Sequence, residues 1–463
     1  MKNSYIYLPI EIKSRELWPK LWLASQLAMR NFVCILGDKP GVETAMQLYP
    51  RGAYFDKSIA RAKTNKLRQL VNKSHILVCQ DEESGIARTE MESFFNVRIS
   101  EENIKLTRRF YCWGGSDYKY LCNKYKDYEE RFCMTGGLRI DLWREEICNR
   151  IYEDDIKSIK EKYNNFILIN SSFGVTNDDD IQKVLDYIVM RGDVSEEDLH
   201  LKKNNLEAFL QEFYSFSEMI STLAKKRPKL TFVVRPHPAE SLDGWRKIFK
   251  QRDNLFLVRE GDVTPWIAAC DALIHPGCTT ALQAILMEKP VFSYVSEKGL
   301  SSHVNLNDFP NQISYKTHTV EELLNAIDGI ENDPHSGKQV DYEKIRKSLD
   351  DRISNFSGRY AADLIAKDLE SLNIPKYSPP SKMEKYITSL YKRILNRVLR
   401  DIVKRDDGEK LVAPTSMQEK IPGGIQREEV ESFINKLKSI DSELGRLRVS
   451  EIGKNVFEIY KGI

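Results

Sequence analysis

Leu230-Thr231-Phe232-Val233-Val234-Arg235-Pro236-His237-Pro238 is a β-rich apolar run that stops abruptly at two prolines. A run of that length with that ending reads as a buried strand terminating in a polar tip. In an open α/β sheet, ligands bind beyond the carboxyl ends of the strands. The stretch therefore puts a guanidinium and an imidazole at a ligand-facing edge. Taken alone, Arg235, His237 and Pro238 serve equally well as ordinary loop residues.

Outward from this strand the chain repeats one pattern. Short apolar runs at residues 5–8, 32–36, 76–79, 110–113 and 132–134 alternate with helix-periodic segments such as 17–29 and 59–71. A second series of runs follows at 166–170, 230–234, 255–258, 272–274 and 290–294. Strands alternating with amphipathic helices argue for βαβ units and mostly parallel sheets, here in two Rossmann-like halves. A charged stretch at 177–205 interrupts the second half and reads as an exposed helical excursion. After the Pro-rich segment 374–380, apolar residues recur at helical spacing over 383–402 among Lys385, Lys392, Arg393, Arg397 and Arg400. Such a basic amphipathic helix suits an anionic membrane surface, or docks its apolar stripe on the protein itself. A flexible segment at 406–424 and a short terminal helical region complete the expected organisation.

Composition narrows the classes. With 463 residues the chain is long enough for about two or three domains. Its 41% hydrophobic and 30% charged content is that of a soluble globular protein. A net charge of +2 excludes a uniformly basic nucleic-acid binder. No run of about 18 apolar residues spans a membrane, and the opening residues carry no signal-peptide core. The eight cysteines lack a Cys-x-x-Cys pair, which favours reduced thiols in a cytoplasmic protein over a zinc site.

Two more strand ends carry chemistry. His275-Pro276-Gly277-Cys278-Thr279-Thr280-Ala281-Leu282-Gln283-Ala284 follows the run 272–274 and leads into a helix. Free N–H groups at a helix start, with the hydroxyls of Thr279 and Thr280, suit a phosphate; Thr279 also suits a helix N-cap. Gln80-Asp81-Glu82-Glu83-Ser84-Gly85 ends the run 76–79. Three successive acids repel one another and raise at least one pKa. One of them could deprotonate a sugar hydroxyl or act as a nucleophile; a solvated acidic turn is the alternative. The Gly-containing turns at 134–144 and 170–174 are further phosphate or sugar contacts, or plain βα turns. Neither a Gly-x-x-x-x-Gly-Lys-Ser/Thr loop nor a Gly-x-Gly-x-x-Gly fingerprint is present.

Taken in order, residues 8–16, 81–85, 135–141, 170–174, 235–238 and 275–284 resemble the bacterial surface carbohydrate biosynthesis proteins. These are relatives of the capsule polysaccharide glycosyltransferases of GT-B architecture. In related transferases that use CMP-activated acidic sugars, Kdo and sialic-acid-like nonulosonates, an acid-acid-Gly motif supplies the catalytic carboxylate. The resemblance implies Glu82 or Glu83, with Asp81 beside them, as that carboxylate. It implies His237 as the CMP contact, with His237 also expected as a catalytic residue, and Thr279 with Thr280 as the phosphate clasp. Arg235, Pro238, His275, Gly277, Gln283, Ser171 and Gly174 are expected around the nucleotide. Lys13, Arg15, Glu16 and Arg139 are expected on the acceptor side. The chain departs from the pattern at Ser84, which intervenes before Gly85. It departs again at Gln283, where many GT-B enzymes place a Glu on the ribose, and at Gly137-Leu138, where Asn-Pro is common.

The expectation is thus an α/β GT-B enzyme with two Rossmann-like domains facing across a cleft. Residues 1–160 hold the acceptor and the carboxylate, 161–372 the nucleotide sugar, and 373–463 form a linker and a basic helical extension. It transfers an acidic sugar from a CMP-sugar to a glycan or lipid-linked acceptor. A single donor phosphate needs no bridging metal, so no metal and no other cofactor is expected. The alternatives are a UDP-sugar or CDP-glycerol donor, or a non-catalytic GT-B-like scaffold. The protein is expected in the cytoplasm, touching the inner membrane through the basic helix.

Overall fold

The computed structural model describes residues 2–84, 86, 90–174, 196–238, 240–249, 252–296, 308–332, 345, 349–381 and 420–462. The chain forms two compact units. One comprises Met1–Ser84, Phe94–Leu142 and Asp350–Ile463; the other comprises Gly85–Ser93 and Trp143–Leu349.

The first unit is built on strands β1 (Asn3–Ile10), β2 (Phe32–Asp38), β3 (Ala53–Asp56), β4 (Ile76–Cys79), β5 (Arg109–Cys112) and β6 (Phe132–Met134). They run parallel in the order β2-β1-β3-β4-β5-β6. Because every strand points the same way, all carboxyl ends lie along one edge. Tyr5, Ile6, Tyr7 and Leu8 of β1 are fully buried, as the continuous apolar run of a strand covered on both faces requires.

The second unit carries β7 (Phe166–Asn170), β8 (Thr231–Arg235), β9 (Leu255–Leu257), β10 (Ala272–His275), β11 (Val291–Tyr294) and β12 (Tyr315–Thr317). All are parallel, in the order β12-β11-β10-β7-β8-β9. Strands β7, β8 and β10 are neighbours at the centre, so the turns that follow them are adjacent. The strand order reverses around β7, the kind of switch point where open α/β sheets bind ligands. Phe213, Phe216, Met219, Ile220 and Leu223 of the long helix Glu196–Lys226 pack on one face with Trp245, Phe232 and Ile274.

The chain then returns to the first unit, which differs from the boundaries expected at 160 and 372. The helix Glu153–Tyr163 lies with the second unit, and the helix Ala361–Ser371 with the first. Asp141 holds that return by accepting from the Ala361 and Ala362 amides, each at 2.9 Å, and from Trp22 Nε1 at 3.1 Å. Three further strands join the first sheet: β13 (Lys376–Tyr377), β14 (Leu447–Gly453) and β15 (Val456–Lys461). Strand β13 pairs antiparallel with β1. The hairpin β14–β15 extends the sheet antiparallel beyond β2, with Val456 opposite Gly37.

The terminal region is therefore partly strand, where a short helical region was expected. It includes the helix Arg427–Lys438, whose Phe433 ring stacks on Trp18 at 4.9 Å. At Gly37 a Cβ would sit 2.3 Å from the Asn455 carbonyl oxygen, so the close approach of β15 requires glycine there. The basic stretch at 383–405 and most of the charged excursion at 177–205 lie outside the described residues. Among the described residues no helix is long and apolar enough to cross a membrane.

Candidate functional site

The carboxyl edge of the first sheet gathers charge. Glu11, one residue past β1, accepts from Lys39 beyond β2 and pairs with Lys57 beyond β3 at 2.9 Å. Lys57 also reaches Glu16 at 3.5 Å, and Lys63 binds Asp56 at 2.6 Å. The Glu16 carboxylate accepts from the Ile12 and Glu11 amides at 3.0 and 3.2 Å and pairs with the buried Lys20 at 2.8 Å. Lys20 in turn donates to the Pro9 carbonyl at 2.5 Å.

The acidic turn after β4 divides its three carboxylates. Asp81 is buried and accepts from Arg98 Nε at 2.8 Å and from the Glu83 amide at 3.0 Å. Burial pushes the Asp81 pKa up against the pull of Arg98. Glu83 is exposed, and Arg15 and Arg98 each grip one of its oxygens at 3.1 Å. Those two guanidiniums outweigh the partial loss of solvent around the carboxylate and carry its pKa below the usual range.

Glu82 is the exception. It is 6% exposed, and its Oε2 atom has no hydrogen-bond partner. Burial and the Glu16 charge raise its pKa, with Arg139, Lys20 and Arg15 pulling the other way. A buried carboxyl with raised pKa and an unpartnered oxygen is equipped to take up a proton.

The neighbouring residues are structural. Ser84 donates to Asp117 at 2.6 Å, and Asp117 also accepts from the Trp113 and Gly114 amides at 2.8 and 3.0 Å. Gln80 spans from β4 to the Gly-Gly turn, donating to the Gly136 carbonyl and accepting from the Leu138 amide, both at 2.8 Å. Gly136 has φ +83°, and a Cβ there would meet the Ser354 carbonyl oxygen at 2.5 Å. Two residues expected on the acceptor side have internal duties instead. Glu16 holds the first turn of the helix Lys13–Met29, and Lys13 is engaged by the Gly424 carbonyl at 2.7 Å and Glu429 at 2.8 Å.

In the second unit, the turns after β7, β8 and β10 are joined by neutral donors and backbone. Asn170 donates Nδ2 to Thr280 Oγ1 at 3.0 Å and leaves Oδ1 buried without a partner. Thr279 takes the N-cap position of the helix Thr280–Leu286, with no side-chain cap hydrogen bond. Thr280 Oγ1 meets Cys278 Sγ at 3.1 Å. Gly277, at φ +114°, provides the turn conformation that side chains disfavour. Gly174 likewise has φ +63° with open space where a Cβ would stand. His237 and Pro238 are exposed at the tip after β8.

That tip is held by two residues the sequence reading did not single out. Buried Glu240 accepts from Ser171 Oγ at 2.6 Å, the Phe173 amide at 2.7 Å and Trp245 Nε1 at 2.8 Å. Ser171 Oγ accepts in turn from the His237 amide at 3.2 Å. Arg259 Nη2 donates to the carbonyls of His237, Pro238 and Glu240 at 2.9, 2.5 and 2.6 Å. The available signal was an acid two residues beyond the His-Pro pair.

Three expected nucleotide contacts have side chains committed elsewhere. His275 is fully buried; Nδ1 accepts from the Gly277 and Cys278 amides at 2.9 and 3.2 Å, so Nε2 carries the proton and donates to Ser314 Oγ at 2.9 Å. Burial pushes its pKa down to about 3, so the ring stays neutral. Arg235 lies over the Trp266 ring at 4.8 Å and donates to the Glu260 and Gly261 carbonyls at 2.6 and 3.0 Å. Burial lowers its pKa to about 10. Gln283 is buried and donates to Thr264 Oγ1 at 2.9 Å. Their common reason is geometric: each buried side chain turns back into its own unit and finds its hydrogen-bond partners there. Among the described residues, no group of three or more His, Cys, Asp or Glu side chains is placed to hold a metal ion.

No protein-family model and no curated protein sequence matches the chain. Solved structures do match. The wall teichoic acid polymerase TagF superposes with a TM-score of 0.50 at 12% identity, over 80% of this chain and 89% of that one. A CDPG-soaked form of TagF gives 0.49 at 10% identity, over 80% and 88%. UDP-GlcNAc 2-epimerase from Neisseria meningitidis bound to UDP-GlcNAc gives 0.47 at 10% identity, over 80% and 100%. With its two Rossmann-like units of parallel sheet, the chain has the GT-B-type fold.

Proposed function

We propose that this chain is a glycosyltransferase-like enzyme of surface glycan or teichoic-acid-like polymer synthesis. The second unit takes the nucleotide of an activated donor, and the first supplies Glu82 for the proton of an acceptor hydroxyl. The observation that carries this is Glu82 itself, a buried carboxyl with one unpartnered oxygen at the carboxyl edge of a parallel sheet. In the second unit the unpartnered Asn170 Oδ1 offers an acceptor for a ribose hydroxyl, and the hydroxyl of Thr279 offers a donor to the phosphate.

As donor we propose a UDP-sugar or CDP-glycerol in place of the CMP-activated acidic sugar implied by the sequence resemblance. Solved structures of this fold carry UDP-GlcNAc in a 2-epimerase and CDPG in TagF. A diphosphate donor removes the single-phosphate reason for expecting no metal, so metal independence is a separate proposal: turnover unchanged in EDTA supports it, and activity restored only by Mg²⁺ or Mn²⁺ overturns it. Calorimetric titration with UDP, CDP and CMP tests the donor. Saturable binding of UDP or CDP above CMP supports it, tightest binding of CMP returns the donor to the CMP-sugars, and binding of none removes the donor site.

The basic stretch 383–405 is proposed to hold the enzyme at an anionic membrane surface. Vesicles containing phosphatidylglycerol should co-sediment the protein and lose it when Lys385, Lys392, Arg393 and Arg397 are changed to Glu. Co-sedimentation indifferent to those changes sinks the idea. Deleting the whole terminus is the wrong test, because it would strip β14 and β15 from the first sheet.

A further inference from the structure

We propose that Glu240 is a positioning residue for donor binding: its carboxylate, with Arg259, sets the loop carrying His237 against the turn after β7. The inference rests on the donor reading above. Glu240 touches no proposed donor contact directly through its side chain except by way of Ser171. It acts through its neighbours.

The geometry is a chain of single-direction hydrogen bonds. Ser171 spends its proton on Glu240 Oε2, which leaves its lone pair to receive the His237 amide. The Phe173 amide is drawn to the other carboxylate oxygen, which fixes the turn that follows Asn170. Trp245 Nε1 locks the carboxylate from the helix Leu242–Ile248. On the far side of the loop, Arg259 collects the three carbonyls from His237 to Glu240. The loop's amide and carbonyls are thus held from opposite sides, and the imidazole of His237 is left at an exposed tip.

Only a carboxylate completes this set. Glutamine has the same shape but one amide nitrogen that donates. In one orientation that nitrogen faces Trp245 Nε1; in the other it faces the Phe173 amide. Either way two donors confront each other in a buried site, and the turn after β7 or the His-Pro loop must shift.

Burial raises the Glu240 pKa, opposed by its hydrogen bonds from Ser171, Trp245 and Phe173. The ionised form makes the contacts, so donor affinity is full above the raised pKa and falls as pH drops through it. The other titratable or charged groups around it are His237 on its own loop, Arg259 after β9 and Cys278 after β10.

The test is titration of the full chain with UDP and CDP between pH 5 and 8. Glu240→Gln should weaken binding by about tenfold or more at pH 8, with circular dichroism and cooperative unfolding retained. Wild-type affinity should fall as pH drops through the raised Glu240 pKa, and Glu240→Gln should lose that dependence. Should Glu240→Gln fail to fold, Ser171→Ala takes its place, with an expected several-fold loss. Glu240→Gln binding within twofold of wild type, or keeping the whole wild-type pH slope, overturns the proposal. Wild-type protein that binds neither nucleotide defeats the donor reading first, and the positioning role falls with it.

Discussion

At the carboxyl edge of β1 to β4, lysines and arginines are tied to glutamates and aspartates from four strand ends, and Glu82 sits among them with one oxygen unpartnered. At the edge of β7, β8 and β10, hydroxyls, amides and one buried carboxylate do the same joining with almost no ion pairs. Both edges come from the same device, parallel strands ending in polar turns. They differ in what they can do to a bound molecule. A charged edge holds a titratable group at an altered pKa. An edge built mainly of amides and hydroxyls can bind an anion through its N–H and O–H donors.

The largest effect expected from this contrast is on turnover. Glu82→Gln should cost roughly 10²–10⁴-fold in rate, the usual worth of a general base, while UDP or CDP affinity stays as in wild type. Loss of nucleotide binding in the same variant would break the division of labour between the units. Next comes His275→Ala, which leaves the buried Gly277 and Cys278 amides without their acceptor. It should cost about 3 kcal/mol in denaturant unfolding. A loss below about 0.5 kcal/mol would mean the imidazole is not the structural acceptor we describe.

His275 in the second unit and Asp117 in the first should respond to pH with opposite signs. His275 is held neutral with its pKa near 3 against an ordinary 6.5. Its contribution is therefore present above pH 6.5 and lost as pH falls toward 3. Asp117 in the first unit is raised by burial to about 6 from 3.8. Its contribution is full below 3.8 and lost as pH rises through 6, and Asp117→Asn should flatten that limb of a stability–pH curve. An unchanged limb would show that Asp117 is ionised without penalty. The smallest effect is expected from Trp18→Ala, which removes the stack on Phe433. About 1 kcal/mol and faster proteolysis after residue 381 should follow, with nucleotide binding untouched.

Much of this was legible in the sequence because buried parallel strands advertise themselves. The runs at 32–36, 76–79, 132–134, 166–170 and 272–274 became β2, β4, β6, β7 and β10 with small changes of boundary. Strand β3, Ala-Tyr-Phe-Asp, was passed over because four residues give too little pattern to separate from a loop. The hairpin β14–β15 did carry a signal, period-two alternation around Gly453-Lys454-Asn455, and Asn455 has φ +61° at the turn. At the strand ends, position along the chain marked which turns are polar. It did not say which side chains face outward.

The two α/β halves, the polar turns at their strand ends and an acidic group after β4 are readable from the chain alone. Those follow from local periodicity and from where apolar runs stop. Only the tertiary structure decided that Glu82, of three adjacent acids, keeps an unpartnered oxygen, since that depends on where Arg15 and Arg98 reach. It also decided that His275, Arg235 and Gln283 turn inward, and that the terminal strands complete the first sheet. Each depends on partners far along the chain, such as Ser314 for His275, and a buried polar group takes whichever partner the fold brings within reach.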